Sequence, residues 1–209
     1  MVDVLALATL GILITVAALI IYLILTAFRS VGFTFAETTL ILFVSILLYI
    51  YIPDIPLFKS GNVIIGVNIA GAVIPIILSL RMLEQGRAPA MESLLGIVIV
   101  TYIAYSLSEV IPERGVLLYS YHIPTIAASL TGILAARKKW NRAGPAAYVS
   151  GSIGILLGAD ILHMQEVFNL QLQRTIFAVI GGAGVFDAIF IVGMLAVVID
   201  IFLKIIFRD

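Results

Sequence analysis

Cysteine is absent from the 209 residues, charged residues make up 11%, and there are one tryptophan and two histidines. The missing thiols exclude cysteine nucleophiles, Cys-ligated zinc and iron–sulfur clusters. The shortage of charge excludes more. Soluble domains carry roughly 25% charged residues because a surface facing water has to be solvated, and this chain has too few for such a surface. What it has instead is 62% hydrophobic residues and a mean hydropathy of +1.20. The solvent of most of the chain is therefore lipid, and disorder, a disulfide scaffold and nucleic-acid binding drop out. Twelve bases balance twelve acids, so electrostatic information lies in their distribution. No cofactor motif stands out.

Crossing about 30 Å of hydrocarbon takes about 20 apolar residues. Cutting the sequence at its charges predicts an all-α polytopic bundle of about seven spans, at 4–28, 36–53, 60–81, 92–109, 115–136, 143–168 and 175–204. The continuously apolar runs argue against barrel strands, which alternate. Met1-Val2-Asp3 puts no basic segment before the first run, so that run reads as a retained helix. Short loops make residues 1–209 one transmembrane domain.

Alternate loops differ sharply in basic residues. Arg29, Arg81, Arg87, Arg137, Lys138, Lys139, Arg142, Lys204 and Arg208 fall on one side; Lys59, Arg114 and Arg174 fall on the other. The excess predicts a multi-pass protein of the cell membrane, with its N-terminus outside and its C-terminus in the cytoplasm. The segment 137–142, with its interfacial Trp140, reads as the topology anchor.

Acids within spans are costly and mark functional sites. Asp160 and Asp187 are the two deep ones; Asp200, four residues before Lys204, reads as half of an interfacial i,i+4 pair. Asp160 ends Gly-Ile-Leu-Leu-Gly-Ala-Asp and Asp187 ends Gly-Gly-Ala-Gly-Val-Phe-Asp, on consecutive helices joined by the polar stretch 169–175. If both helices run up to a tight turn there, each lies about 20 Å of helix from the middle of that stretch, which sets the two carboxyls level near the middle of the membrane; if helix 6 instead ends near His163, with 164–169 along the interface, the two are offset in depth. Two facing carboxyls in a low dielectric do not both ionise, so one holds a proton while the other serves as base. Gly181, Gly182 and Gly184 would let the backbone bend or approach a substrate, or form a packing surface with Gly151, Gly154, Gly158 and Gly193. Asn68, near Gly66, Gly71 and Pro75, is a candidate to point an amide into the same cavity. No strong internal repeat stands out; room for a weak symmetry between a Gly-broken helix 3 and helix 7 keeps a transporter in view.

The stretches Gly-Gly-Ala-Gly-Val-Phe-Asp-Ala-Ile-Phe-Ile-Val-Gly, Gly-Ala-Asp-Ile-Leu and Gly-Val-Asn-Ile-Ala-Gly-Ala-Val-Ile-Pro resemble a family of small prokaryotic membrane proteins whose domain has no known function. The placement of one aspartate on each of two consecutive helices, the second after a Gly-rich break, is also similar to intramembrane aspartyl proteases of the presenilin and signal-peptide-peptidase type. That resemblance implies a catalytic dyad of Asp160 and Asp187 acting on a transmembrane peptide. The chain departs from those enzymes in carrying Ala159 before Asp160 and Val185-Phe186 between Gly184 and Asp187. The nearest counterpart of their Pro-Ala-Leu segment, at Pro124, precedes helix 6.

Three readings follow. In the first the aspartates activate water in a membrane hydrolase, with Asn68, Pro124, Gly181, Gly182 and Gly184 shaping the substrate site. In the second they bind a proton, a small cation or a solute in a carrier or channel. In the third the glycines are packing surfaces of a non-catalytic scaffold. A divalent-metal site built from His122, Asp160, His163 and Glu166 is a further alternative to an interior hydrogen-bonded histidine.

Overall fold

The computed structural model describes residues 4–112, 115–137, 139–170, 174–184 and 187–206, without side chains at 4–6. Asp3, Glu113, Arg114, Lys138, Val185, Phe186 and Arg208 lie outside the described residues. The chain is mostly helical. Its α-helices are α1 (Val4–Ser30), α2 (Phe35–Tyr51), α3 (Ile74–Glu84), α4 (Ala90–Leu107), α5 (His122–Ala136), α6 (Ala143–Ile155), α7 (Met164–Phe168) and α8 (Ala188–Ile206). Four stretches are long and apolar enough to cross a membrane: Leu7–Ser30, Ala90–Leu107, Trp140–Phe168 and Ala188–Ile206. The apolar helices α2 and α5 are shorter, at 17 and 15 residues.

Five strands correct the all-helical expectation. β1 (Ile55–Ser60) and β2 (Val63–Val67) form an antiparallel hairpin, and β5 (Ile176–Ile180) runs parallel to β2, from Val63 opposite Ile176 to Val67 opposite Ile180. β3 (Ser108–Ile111) and β4 (Gly115–Leu118) form a second hairpin. The spans expected at 60–81, 115–136 and 175–204 therefore begin as strands, and the one expected at 92–109 ends in a strand. The cause is local: Val-Ile-Ile-Gly-Val and Ile-Phe-Ala-Val-Ile are dense in β-branched and aromatic residues, which suit a pleated surface better than a helix. Each is bounded by glycine, Gly61 before one and Gly181 after the other.

Beyond the paired strands, β2 leads through one π-helical turn, Ile69–Val73, into α3, while β5 leads through a glycine turn into α8. Two strand–turn–helix units thus stand on parallel neighbouring strands.

The core centres on α6, whose residues are nearly all buried between α4, α5 and α8. Small residues permit the close approach. A Cβ on Gly151 would meet the Gly193 backbone at 3.1 Å, and one on Gly132 would meet the Ala143 carbonyl oxygen at 2.6 Å. α1 joins this core at its C-terminal end, where Ala27 and Phe28 are buried, while Leu7, Leu10, Leu13 and Ile14 are exposed. Such apolar exposure suits a lipid environment.

Basic residues and helix ends gather at one end of the bundle. Arg81 at the end of α3 pairs with Glu37 at the start of α2 (2.7 Å), and Arg137 after α5 pairs with Glu92 at the start of α4 (3.1 Å). Arg87 donates to the Val31 carbonyl oxygen (3.2 Å) and lies over the Phe33 ring. The strands occupy the other end.

Candidate functional site

Asp160 sits in a second π-helical segment, Leu156–Ile161, which continues α6. Widened turns of this kind recur at functional sites because they shift a side chain out of helical register. Asp187 does not lie within a helix. It stands just before α8 and caps it: Oδ1 accepts the Ile189 N–H (3.0 Å) and Oδ2 the Ala183 N–H (3.3 Å). Asp160 has no hydrogen bond or ion pair among the described residues, and the charge of Asp187 acts on it. Both are half-buried, and both line one cavity of about 370 Å³.

The cavity lies at the strand end of the bundle. Asp160 comes 17 residues after Ala143, a rise of about 26 Å for a helix, against a hydrocarbon thickness of about 30 Å. The roof of the cavity includes Phe177, Ala178, Val179 and Ile180 of β5, with Gly115 and Val116 at the start of β4. Since the sheet order is β1-β2-β5, β5 is an edge strand.

The three glycines form the turn between β5 and Asp187. Gly181 and Gly184 adopt φ of +71° and +60°, a region in which side chains are strained. Gly181 also meets the π-helical turn after β2: a Cβ on Gly71 would lie 2.1 Å from the Gly181 carbonyl oxygen, so backbone meets backbone there. Gly182 lines the cavity. The glycines of the chain thus divide, those of α5, α6 and α8 serving helix packing and those at 181–184 shaping the site.

Asn68 and Pro124 are not among the cavity residues. Asn68 caps the π-helical turn: its Nδ2 donates to Asp54 (2.7 Å), its Oδ1 accepts the Gly71 N–H (2.9 Å), and its own N–H donates to Ile180 (2.9 Å). It therefore positions the β2–β5 junction. Pro124 is buried in the first turn of α5. His163 is buried, with Nδ1 3.0 Å from the Gly158 carbonyl oxygen and its ring 4.6 Å from that of Tyr105. His122 and Glu166 are exposed. Among the described residues no three His, Asp or Glu side chains gather to hold a metal ion.

The sequence reading missed two features. Asp200 is buried and accepts a hydrogen bond from Ser129 Oγ of α5; among the described residues it makes no ion pair with Lys204. The other is the edge strand beside the carboxyls. Its signal was the five-residue apolar run ending at Gly181-Gly182, which hydropathy alone does not separate from a helix start.

A family model described as "Protein of unknown function (DUF1614)" matches residues 24–199. The chain belongs to that family. No curated protein and no solved structure matches it, and the expected similarity to intramembrane aspartyl proteases finds no support in these comparisons. The extent of the DUF1614 match takes in both aspartates, the sheet and Asn68.

Proposed function

We propose that this DUF1614 protein is a membrane-embedded aspartyl hydrolase that cleaves a peptide bond in an extended segment of a membrane substrate. The observation that carries the reading is the unequal pair in one cavity: Asp187 held by two backbone N–H groups, Asp160 by none. Hydrogen bonds to a carboxylate favour its charged form, and two neighbouring carboxyls resist ionising together. Asp187 is accordingly the base and Asp160 the acid. Water attacks the scissile carbonyl carbon as its proton passes to Asp187, and the Asp160 proton passes to the carbonyl oxygen. Collapse of the tetrahedral diol breaks the C–N bond, with a proton delivered from Asp187 to the leaving nitrogen and one returned from the diol to Asp160. The edge of β5 offers backbone groups to an extended substrate by strand addition.

Orientation belongs to the same reading. The basic end faces the cytoplasm and the dyad faces the opposite side. Because the chain has no native cysteine, single cysteines introduced at Lys59 and Lys139 test this directly: an impermeant thiol reagent applied outside whole cells labels the first and spares the second.

The decisive assay uses the purified full chain in liposomes with a panel of single-span peptides, followed by mass spectrometry of the products. Cleavage abolished by Asp160→Asn and by Asp187→Asn supports the reading. Intact peptides with the unaltered chain, together with proton- or sodium-dependent solute uptake lost in Asp187→Asn, would establish a carrier instead. The paired strand–turn–helix units favour that second reading, since internal repeats are common in transporters.

A further inference from the structure

The basic end of the bundle contains a second cavity, of about 300 Å³, between the C-terminal turns of α1 and α8 and the segment leading into α6. Thr26, Ser30, Trp140, Asn141, Asp200 and Lys204 contribute its polar wall. Asp200 is 4% exposed; one carboxyl oxygen accepts from Ser129, and Oδ2 has no hydrogen-bond partner among the described residues. A buried oxygen of this kind carries the full cost of desolvation until a donor reaches it. Lys204 borders the same cavity one helical turn on and is likewise without an ion pair among the described residues. Opposite charges thus face one space without meeting each other.

The hydroxyls define what fits between them. Thr26 donates to the Tyr22 carbonyl oxygen (2.8 Å) and Ser30 to that of Ala27 (2.7 Å). Their protons are committed, so each can offer lone pairs. With the Asp200 carboxyl these hydroxyls give the cavity wall several acceptors, as a primary ammonium with three N–H donors requires, while Lys204 suits an anionic group. Val197, Ile201 and Ile205 continue the wall, and Ile205 is 70% exposed on the apolar outside of α8. Trp140 is the kind of side chain that settles at head-group level.

We propose that this cavity binds the phosphoethanolamine head group of a membrane phospholipid, its ammonium donating to the Asp200 carboxyl and its phosphate facing Lys204, with the acyl chains along the apolar flank of α8. The site is separate from the Asp160–Asp187 cavity and does not depend on the reaction assigned to it.

The test compares phosphatidylethanolamine, its N-monomethyl and N-dimethyl forms and phosphatidylcholine, all with the same acyl chains, added to the delipidated full chain and read as bound lipid by native mass spectrometry. Methylation removes N–H donors while keeping the charges. Affinity is expected to fall along the series by about tenfold or more in total, the scale of one charge-assisted hydrogen bond. Asp200→Asn should bring phosphatidylethanolamine down toward phosphatidylcholine, and Lys204→Met should weaken both equally and leave their ratio intact. Equal binding along the series with the unaltered chain would overturn the proposal, whether or not the variants fold; so would an undiminished preference in folded Asp200→Asn. Soluble O-phosphoethanolamine binding as tightly as the lipid would assign the site to a free metabolite and overturn its lipid assignment.

Discussion

α8 connects two aspartates with opposite surroundings. Asp187, at its start, takes its partners from two backbone N–H groups, that of Ala183 in the glycine turn and that of Ile189 in α8, and faces a cavity shared with a second acid. Asp200, 13 residues on and about 20 Å along the axis, is enclosed between helices and takes its partner from the Ser129 side chain. Charge does not distinguish them. What differs is the source of the hydrogen bonds: backbone donors fix a carboxylate's geometry independently of neighbouring side chains, whereas a side-chain donor ties the acid to packing between α5 and α8. The first arrangement suits chemistry on an incoming molecule, and the second ties the acid to the core at the wall of the other cavity.

The largest expected effect breaks the comparison at the strand end. Asp160→Asn and Asp187→Asn should each lower peptide cleavage by at least about 10²-fold, the scale of lost acid–base catalysis. Neither should destabilise the chain appreciably, since Asp160 has no hydrogen bond to lose and Asn caps a helix about as well as Asp. Asp187→Ala, by contrast, should lose activity and also about 0.5–2 kcal/mol of stability with the cap. Cleavage assays paired with thermal unfolding in the same detergent check this; an active Asp160→Asn variant would remove it from the dyad.

Next comes the support beneath the site. Gly71→Ala places a methyl group 2.1 Å from the Gly181 carbonyl oxygen, and the backbone must move. A cost of about 1–3 kcal/mol is expected from overpacking alone, together with displacement of the turn that holds Asp187 and hence lower cleavage. Gly11→Ala is the control, because a Cβ there meets nothing within 4 Å; relief of helix-interior glycine should stabilise by about 0.5–1 kcal/mol. Equal unfolding temperatures for the two variants would show that the Gly71–Gly181 approach does not constrain the fold.

At the other end of α8, Ser129→Ala leaves both oxygens of a buried carboxyl without a partner. A loss of about 1–3 kcal/mol is expected, with cleavage per folded molecule unchanged. That outcome, set against Asp160→Asn, separates an acid used for packing from one used for chemistry. A fall in the specific activity of folded Ser129→Ala would mean that the two ends communicate through α8.

Charge scarcity and long apolar runs make the membrane helices legible, and the cost of a deep acid singles out Asp160 and Asp187. Less legible was Asp200. An i,i+4 neighbour of opposite sign suggests a local pair, but Asp200 packs toward Ser129, 71 residues away in sequence, and no local pattern encodes that contact. The strands escaped for a related reason. Ile176–Ile180 is as apolar as the helix after it, and the parallel neighbour that makes it a strand, Val63–Val67, lies more than 100 residues earlier. Gly61-Asn62 between two apolar runs is the readable clue to the first hairpin, and the length of the apolar run at 60–81 masks it.

The smallest effect concerns how the basic end is held. Arg137 forms an ion pair with Glu92 across an exposed gap, while its own backbone is left-handed at φ +43°. The pair stabilises by about 0.2–1 kcal/mol, and the left-handed conformation costs a non-glycine residue roughly 1–2 kcal/mol. Glu92→Gln and Arg137→Gly both delete the pair, but Arg137→Gly alone relieves the backbone. Glu92→Gln additionally gives up an acid in the first turn of α4, worth about 0.3–1 kcal/mol against the helix dipole. Arg137→Gly should therefore be the more stable variant, even after the entropic cost of a new glycine, about 0.5–1 kcal/mol. If unfolding temperatures run in the reverse order, the arginine matters here through its charge, and the basic end is held together by electrostatics to a degree that the strand end is not.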